Sequence, residues 1–162
     1  MEKEFLQIIK KNQGIIHKVC NIYCDDQDDR DDLFQEIVAQ LWKSFPSFRE
    51  ESKFTTWMYK VALNTAITTF KKTKRRPDQN RLTYENFQVK DENYDTETEE
   101  EIKNLHRAVA QLTGVEKSIV LLFLENNKYE EIAEITGITQ NYVRVKMNRI
   151  KKKLKKFMET ED

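Results

Sequence analysis

The chain has few of the residues that make sharp turns: three glycines and two prolines among 162 residues. A sandwich or barrel of many short strands needs a turn signal roughly every ten residues, so those architectures are excluded. No apolar run approaches the roughly 20 residues that cross a bilayer, and the N-terminus carries no charged-then-apolar leader. The expectation is a cytoplasmic protein with no direct membrane insertion. Only two cysteines occur, Cys20 and Cys24, and a reducing compartment would keep both as thiols. They share a helix face with His17, but a fourth ligand is lacking, and zinc sites gather ligands from a turn plus another element. No metal site is expected. There is also no Gly-rich phosphate loop, no nucleophile elbow and no context for a catalytic triad. The sequence therefore points to no catalytic residue, no cofactor and no enzymatic activity.

Net charge is also missing, with 28 basic residues balanced by 28 acidic ones. A neutral total argues against a nucleic-acid binder, but the distribution argues for one. Residues 25–32 and 91–101 are almost wholly acidic, whereas 71–76 and 144–156 are strongly basic. Segregation of this kind can offer one face to phosphates and another to a basic protein partner. Charged residues reach 35% of the chain, against roughly 25% in ordinary domains. Glu, Lys, Leu, Ile and Gln are abundant and favour helix. The fold expected is all-α: two small helical domains, 1–77 and 101–162, joined by a flexible acidic linker at 78–100. The first should hold three to four helices and the second a helix-turn-helix.

Apolar periodicity places the helices. Phe5, Ile8, Ile9, Ile16, Val19 and Tyr23 mark one over residues 3–24, weakened midway by Gly14. Asp28 or Asp29 should cap the next, whose stripe is Leu33, Phe34, Ile37, Val38, Leu41 and Trp42, and Pro46 ends it near Phe45. A third, over 53–74, turns Phe54, Trp57, Met58, Val61, Ala62 and Ala66 inward, with Lys60, Asn64, Thr68, Lys71 and Arg75 outward. In the second domain Ile102, Leu105, Val109 and Leu112 mark a helix, and Thr113 with Glu116 forms a capping-box pattern before Ile119, Val120, Leu122 and Phe123. Asn126-Asn127 breaks that helix. A short helix with Tyr129, Ile132, Ala133 and Ile135 leads to a turn at Gly137. Thr139 can cap a last helix, with Val143, Met147, Ile150, Leu154 and Phe157 inside.

Three elements carry function. Residues 128–149 have the proportions of a helix-turn-helix, with small Ala133 at the close approach and Gly137 at the turn. Such a second helix lays its N-terminal residues in the major groove, where Gln140, Asn141 and Arg144 match base-edge patterns. Arg149, Lys151 and Lys152 are placed for phosphates. In the first domain, Trp57, Tyr59, Lys60 and Asn64 precede a basic helix end, a combination suited to an unpaired strand that stacks on rings. Trp57 reads as core, whereas packing does not account for Tyr59, Lys60 and Asn64. The third element is Asp32-Leu33-Phe34-Gln35-Glu36, whose outer polar groups fit either plain solvation or a protein-docking face.

Taken in order, Asp32-Leu33-Phe34-Gln35-Glu36 with Leu41-Trp42 and Phe45, the run from Phe54 through Trp57 to Asn64, and Glu131-Ile132-Ala133 through Val143-Arg144-Val145-Lys146 resemble the extracytoplasmic-function sigma factors. The resemblance spans nearly the whole chain apart from the linker. It implies a factor that binds core RNA polymerase and directs promoter recognition, DNA melting and transcription initiation. It places Asp32, Gln35 and Glu36 on the β′ clamp helices. It assigns Phe48 and the loop to Lys53, with Tyr59, Lys60, Asn64 and Lys71, to the minus-ten element, where a flipped base is captured. It assigns Thr139, Gln140, Asn141, Arg144, Asn148 and Arg149 to the minus-thirty-five element, and gives the second domain a further contact on the β flap. It also implies an anti-sigma factor as a partner. The chain departs from the pattern at Leu112-Thr113-Gly114, where many relatives have Leu-Pro, at Lys117, where Arg is usual, and at Thr68, where an acid is frequent. The alternative is a helix-turn-helix regulator that binds duplex DNA without polymerase.

Overall fold

The computed structural model describes residues 2–48, 53–74 and 96–160. In the first lobe, α1 (Glu2–Tyr23) starts with Glu2 and Glu4 at the positive end of its dipole and buries Phe5, Ile9, Ile16, Val19, Cys20 and Tyr23. It kinks at Asn12 (φ −116°, ψ 17°), whose amide donates to the Ile8 carbonyl at 3.0 Å. This side chain competes with the helix ladder, so the break falls at Asn12 rather than at Gly14. Helix α2 (Gln27–Ser44) is capped by Asp26, which accepts from the Asp28 backbone N–H at 3.3 Å. The expected caps, Asp28 and Asp29, sit instead in the first turn, where their charge suits the dipole. Pro46 converts the chain after Ser44 into a 3-10 turn, Phe45–Ser47.

Helix α3 (Phe54–Lys74) completes the lobe. Leu33, Ile37 and Leu41 of α2 pack with Met58, Ala62, Leu63 and Ala66 of α3 against α1. At one end Phe48, Phe54 and Trp57 form an aromatic triangle with centroids 5.1–5.5 Å apart.

The second lobe comprises α4 (Thr96–Ala110), α5 (Gly114–Leu124), α6 (Tyr129–Thr136) and α7 (Gln140–Thr160). Helix α4 therefore begins inside the stretch expected to be linker, and residues 75–95 lie outside the described ones. The capping box forms in full: Glu116 N–H donates to Thr113 Oγ1 at 3.2 Å, and Thr113 N–H donates to Glu116 Oε1 at 2.9 Å. Asn126 takes a left-handed turn (φ 66°) that ends α5. Gly137 does the same for α6 (φ 78°), in the left-handed region that glycine enters without the steric cost of a Cβ.

Glu116 is 1% exposed, and Lys153 Nζ donates to both its carboxylate oxygens at 2.9 and 2.8 Å. Burial acts to raise the Glu116 pKa, but the hydrogen bonds from Lys153 and Thr113 outweigh it, and the carboxyl titrates below its ordinary value. One acid thus caps α5 and ties the far half of α7 to it.

The lobes do not keep separate cores. A single buried cluster runs from Phe5 to Ile150, because α5 packs on α1 and α3, and α6 packs on α3.

Thr113→Ala removes one half of the capping box and should cost about 1 kcal/mol in urea unfolding, with Thr113→Ser retaining most of it. A carboxyl with a depressed folded pKa stabilises above its ordinary value and loses that contribution as pH falls through its folded value. Acidification below about 4.5, the ordinary value, should therefore weaken the fold. Glu116→Gln should lower the melting temperature at neutral pH and flatten its acid dependence.

Candidate nucleic-acid and protein-docking surfaces

Helix α7 is positioned by its start and by its buried stripe. Thr139 Oγ1 accepts from the Tyr142 backbone N–H at 3.2 Å, and Val143, Met147 and Ile150 are buried against the neighbouring helices. That register leaves Thr139, Gln140, Asn141, Arg144, Asn148 and Arg149 exposed together. Lys151, Lys152, Lys155 and Lys156 continue the exposed surface toward the C-terminal end. The six candidates read from sequence thus share one exposed surface beside a cationic extension. Sequence reasoning passed over two exposed residues within it, Tyr142 at 43% and Val145 at 37%.

On α2, burial of Leu33, Ile37 and Leu41 turns Asp32, Gln35 and Glu36 outward, and all three are exposed. Glu36 accepts from the Gln40 amide at 3.0 Å, which orients its carboxylate along the helix. Burial first, and then the negative charges of Asp26, Asp32, Asp28 and Asp25, raise the pKa of Asp29. Such a field attracts a cationic partner.

The α3 candidates divide. Asn64 and Thr68 are exposed and Lys60 is half-buried. Tyr59 is only 8% exposed, so packing does account for it, contrary to the reading from sequence. Burial, with a smaller contribution from Glu125, pushes its phenol up to about 12. Glu125 belongs to the second lobe, so this electrostatic contribution is one that α3 periodicity does not carry. Phe48 contributes to the aromatic triangle. The Lys71 side chain, Arg75 and residues 49–52 of the loop lie outside the described residues.

The contact between lobes gathers residues that the sequence left unassigned. Tyr23 Oη donates to the Gly114 carbonyl, and the Tyr23 ring meets Phe70 edge-on at 5.9 Å. Burial holds the Tyr23 phenol well above its ordinary pKa, against a smaller opposing effect of Ser118. Lys117 is 5% exposed, with Nζ 4.5 Å from the Phe70 centroid and 5.7 Å from that of Tyr23. A Cβ on Gly114 would lie 3.4 Å from the Phe70 ring and 3.7 Å from Ile67, ordinary contact distances that mark how closely this end of α5 lies on α3. At the rim Lys18 Nζ pairs with Glu125 Oε2 at 2.7 Å, a half-exposed pair of small net value. Cys20 and Cys24 are free, and burial raises their pKa values to about 11 and about 12, which keeps both protonated.

Residues 8–76 match the family described as Sigma-70 region 2, and residues 102–154 match Sigma-70, region 4. RNA polymerase sigma factor SigV of Bacillus subtilis is 32% identical, over 86% of this chain and 82% of that protein. The ECF RNA polymerase sigma-E factor of Haemophilus influenzae is 30% identical, over 91% and 84% respectively. Among solved structures, the sigma factor RpoE in complex with the anti-sigma factor NepR from Bartonella quintana has a TM-score of 0.74 at 16% identity, covering 99% of both chains. CnrH in complex with the cytosolic domain of CnrY has a TM-score of 0.70 at 13% identity, covering 100% of this chain and 92% of that one. The fold likeness therefore extends over both lobes together.

Tyr23→Phe keeps the ring contacts and removes the hydroxyl donor to Gly114. It should weaken the packed arrangement by about 1 kcal/mol, raising the separated population about fivefold. Paired fluorophores on α2 and α7 would read the change, and an unaltered distance distribution would count against this bond as a lobe-to-lobe tie.

Proposed function

The chain belongs to the extracytoplasmic-function family of RNA polymerase sigma factors and directs promoter-specific initiation, and we propose that it divides this work among three exposed surfaces. Core RNA polymerase and promoter DNA are its partners, and its role in initiation is that of a non-catalytic factor. The observation that carries the assignment is the order of the matches: Sigma-70 region 2 falls on the first helical lobe and region 4 on the second. A helix-turn-helix regulator acting without polymerase is not favoured, because it leaves the exposed Asp32–Glu36 face and Asn64 without a role.

In this reading Asp32, Gln35 and Glu36 dock on the β′ clamp helices, supported by their shared exposure and by the surrounding negative field. Asn64, with Lys60, Lys71, Phe48 and the loop to Lys53, engages the melted minus-ten element. Unstacking a base costs a few kcal/mol, and a pocket for the flipped base offsets part of it. Thr139, Gln140, Asn141, Arg144, Asn148 and Arg149 engage the minus-thirty-five element, and the lysines beyond them neutralise phosphates. The second lobe also reaches the β flap. The protein acts in the cytoplasm, and an anti-sigma factor is a further partner, as NepR is for RpoE.

The packed lobes must part for this to work. The two promoter elements are separated by ~25 base pairs, roughly 85 Å at ~3.4 Å per pair, whereas the lobes share one buried cluster. The intervening residues 75–95, fully extended, span at most roughly 70 Å, long enough for wide separation. Tyr59 belongs with the minus-ten set.

Transcription by core polymerase plus this chain on a genomic library should yield discrete starts that share two upstream elements; starts no different from those of polymerase alone would defeat the assignment. Asn64→Ala should lower open-complex formation about tenfold while changing polymerase affinity less than about twofold, the size of one lost base contact. Asp32→Arg should do the reverse, weakening assembly with core polymerase and leaving the DNA-binding lobe intact, as checked by gel filtration of the complex.

A further inference from the structure

The outward face of α7 carries one aliphatic side chain, Val145, among amides and cations. Asn141, Val145, Asn148 and Lys152 follow one another at spacings of four, three and four residues, a single stripe on a helix. It lies opposite the buried stripe of Val143, Met147 and Ile150. Val145 sits mid-stripe, about 6 Å along the axis from Asn141 and about 4.5 Å from Asn148. It is 37% exposed. A β-branched residue loses rotamer freedom in a helix and gains nothing from water. Its stripe neighbours are amides and a cation. The other exposed apolar residue in this half of α7, Tyr142, has a partner in Lys146, whose Nζ is 5.6 Å from its ring centroid.

We propose that Val145 determines specificity by packing against the C5-methyl group of a thymine in the upstream promoter element, with Asn141 and Asn148 reading bases on either side. The inference rests on α7 being the recognition helix, and it adds the chemistry of the base read. In the major groove the thymine methyl is the apolar group that base edges display, and an aliphatic side chain is its natural contact. Asparagine pairs bidentately with adenine N6 and N7. A stripe of Asn, Val and Asn spans about 10 Å of helix, the rise of about three base pairs. The element under it should therefore be rich in A·T pairs, with a thymine methyl facing the middle position.

The test replaces each thymine of the upstream element by deoxyuridine, one at a time, in a promoter recovered by start-site mapping. This substitution deletes only the methyl. Binding is measured with the complete holoenzyme. One position should lose affinity about three- to tenfold with the natural chain. Val145→Ala should bind the thymine and uracil forms of that site equally, and Val145→Thr, which keeps a methyl, should retain part of the discrimination. If no position responds to methyl removal, or if Val145→Ala responds as strongly as the natural chain, the proposal is overturned. Weakened assembly of Val145→Ala with core polymerase in the absence of DNA would also overturn it, by giving the residue to a protein contact. Asn141→Ala and Arg144→Ala run alongside: altered promoter selection in these with an insensitive Val145 rejects this inference alone, whereas unaltered selection rejects α7 as the recognition helix.

Discussion

Burial of Val143, Met147 and Ile150 against the neighbouring helices decides where every other residue of α7 points. A helix has one orientation about its axis, so a core contact on one side fixes the exposed side to within a fraction of a turn. The same constraint operates on α2, where buried Leu33, Ile37 and Leu41 turn Asp32, Gln35 and Glu36 to solvent. It operates on α3, where Met58, Ala62 and Ala66 inward put Asn64 and Thr68 outward. The partner-facing surfaces are thus by-products of core registers, and a change that slipped a core register would re-aim a docking face without touching it. The Glu116–Lys153 pair protects the α7 register by tying the far half of α7 to the cap of α5.

A second layer of packing sets when the surfaces can be used together. Gly114 of α5 lies beside Ile67 and Phe70 of α3, Tyr23 bonds to its carbonyl, and Lys117 lies over the Phe70 ring. Both Gly114 and Lys117 fall in the contact between lobes. The packed arrangement covers Tyr59 but leaves the acidic face of α2, Asn64 and the outer face of α7 exposed. Each surface is therefore open to a first encounter, whereas simultaneous engagement of two distant DNA elements requires the lobes to part. In the proposed function, the energy to separate them would be drawn from the added contacts, and the tether would make the second contact effectively intramolecular once the first is made.

The local features were legible in the sequence because neighbours along the chain cause them. The Thr113–Glu116 capping box, the left-handed Gly137, the stop at Pro46 and the Thr139 cap all formed as their residues dictate. Exposure of the α2 and α7 candidates followed from apolar periodicity. What escaped was non-local. Tyr59 is buried in the cluster that both lobes share, which the periodicity of α3 alone does not carry. Glu116 and Lys117, two charged residues in a polar-looking segment, are buried because they bridge elements far apart in sequence. Two local details also slipped, because several residues of the same type competed: Asp26 won the cap over Asp28 and Asp29, and Asn12 broke α1 ahead of Gly14. Val145 was passed over because a single apolar residue on a polar face is common on protein surfaces and carries no signal by itself.

The central claim is that one chain offers three differently aimed faces to three different partners at once. Photo-crosslinking from single positions within the assembled open complex tests it directly. A crosslinker at Glu36 should capture the polymerase β′ subunit, one at Asn64 the unpaired strand of the minus-ten element, and one at Asn141 duplex DNA about two and a half helical turns upstream (~10 base pairs per turn). Capture of DNA from Glu36, or of the same partner from Asn64 and Asn141 with no upstream duplex among the products, would contradict the account.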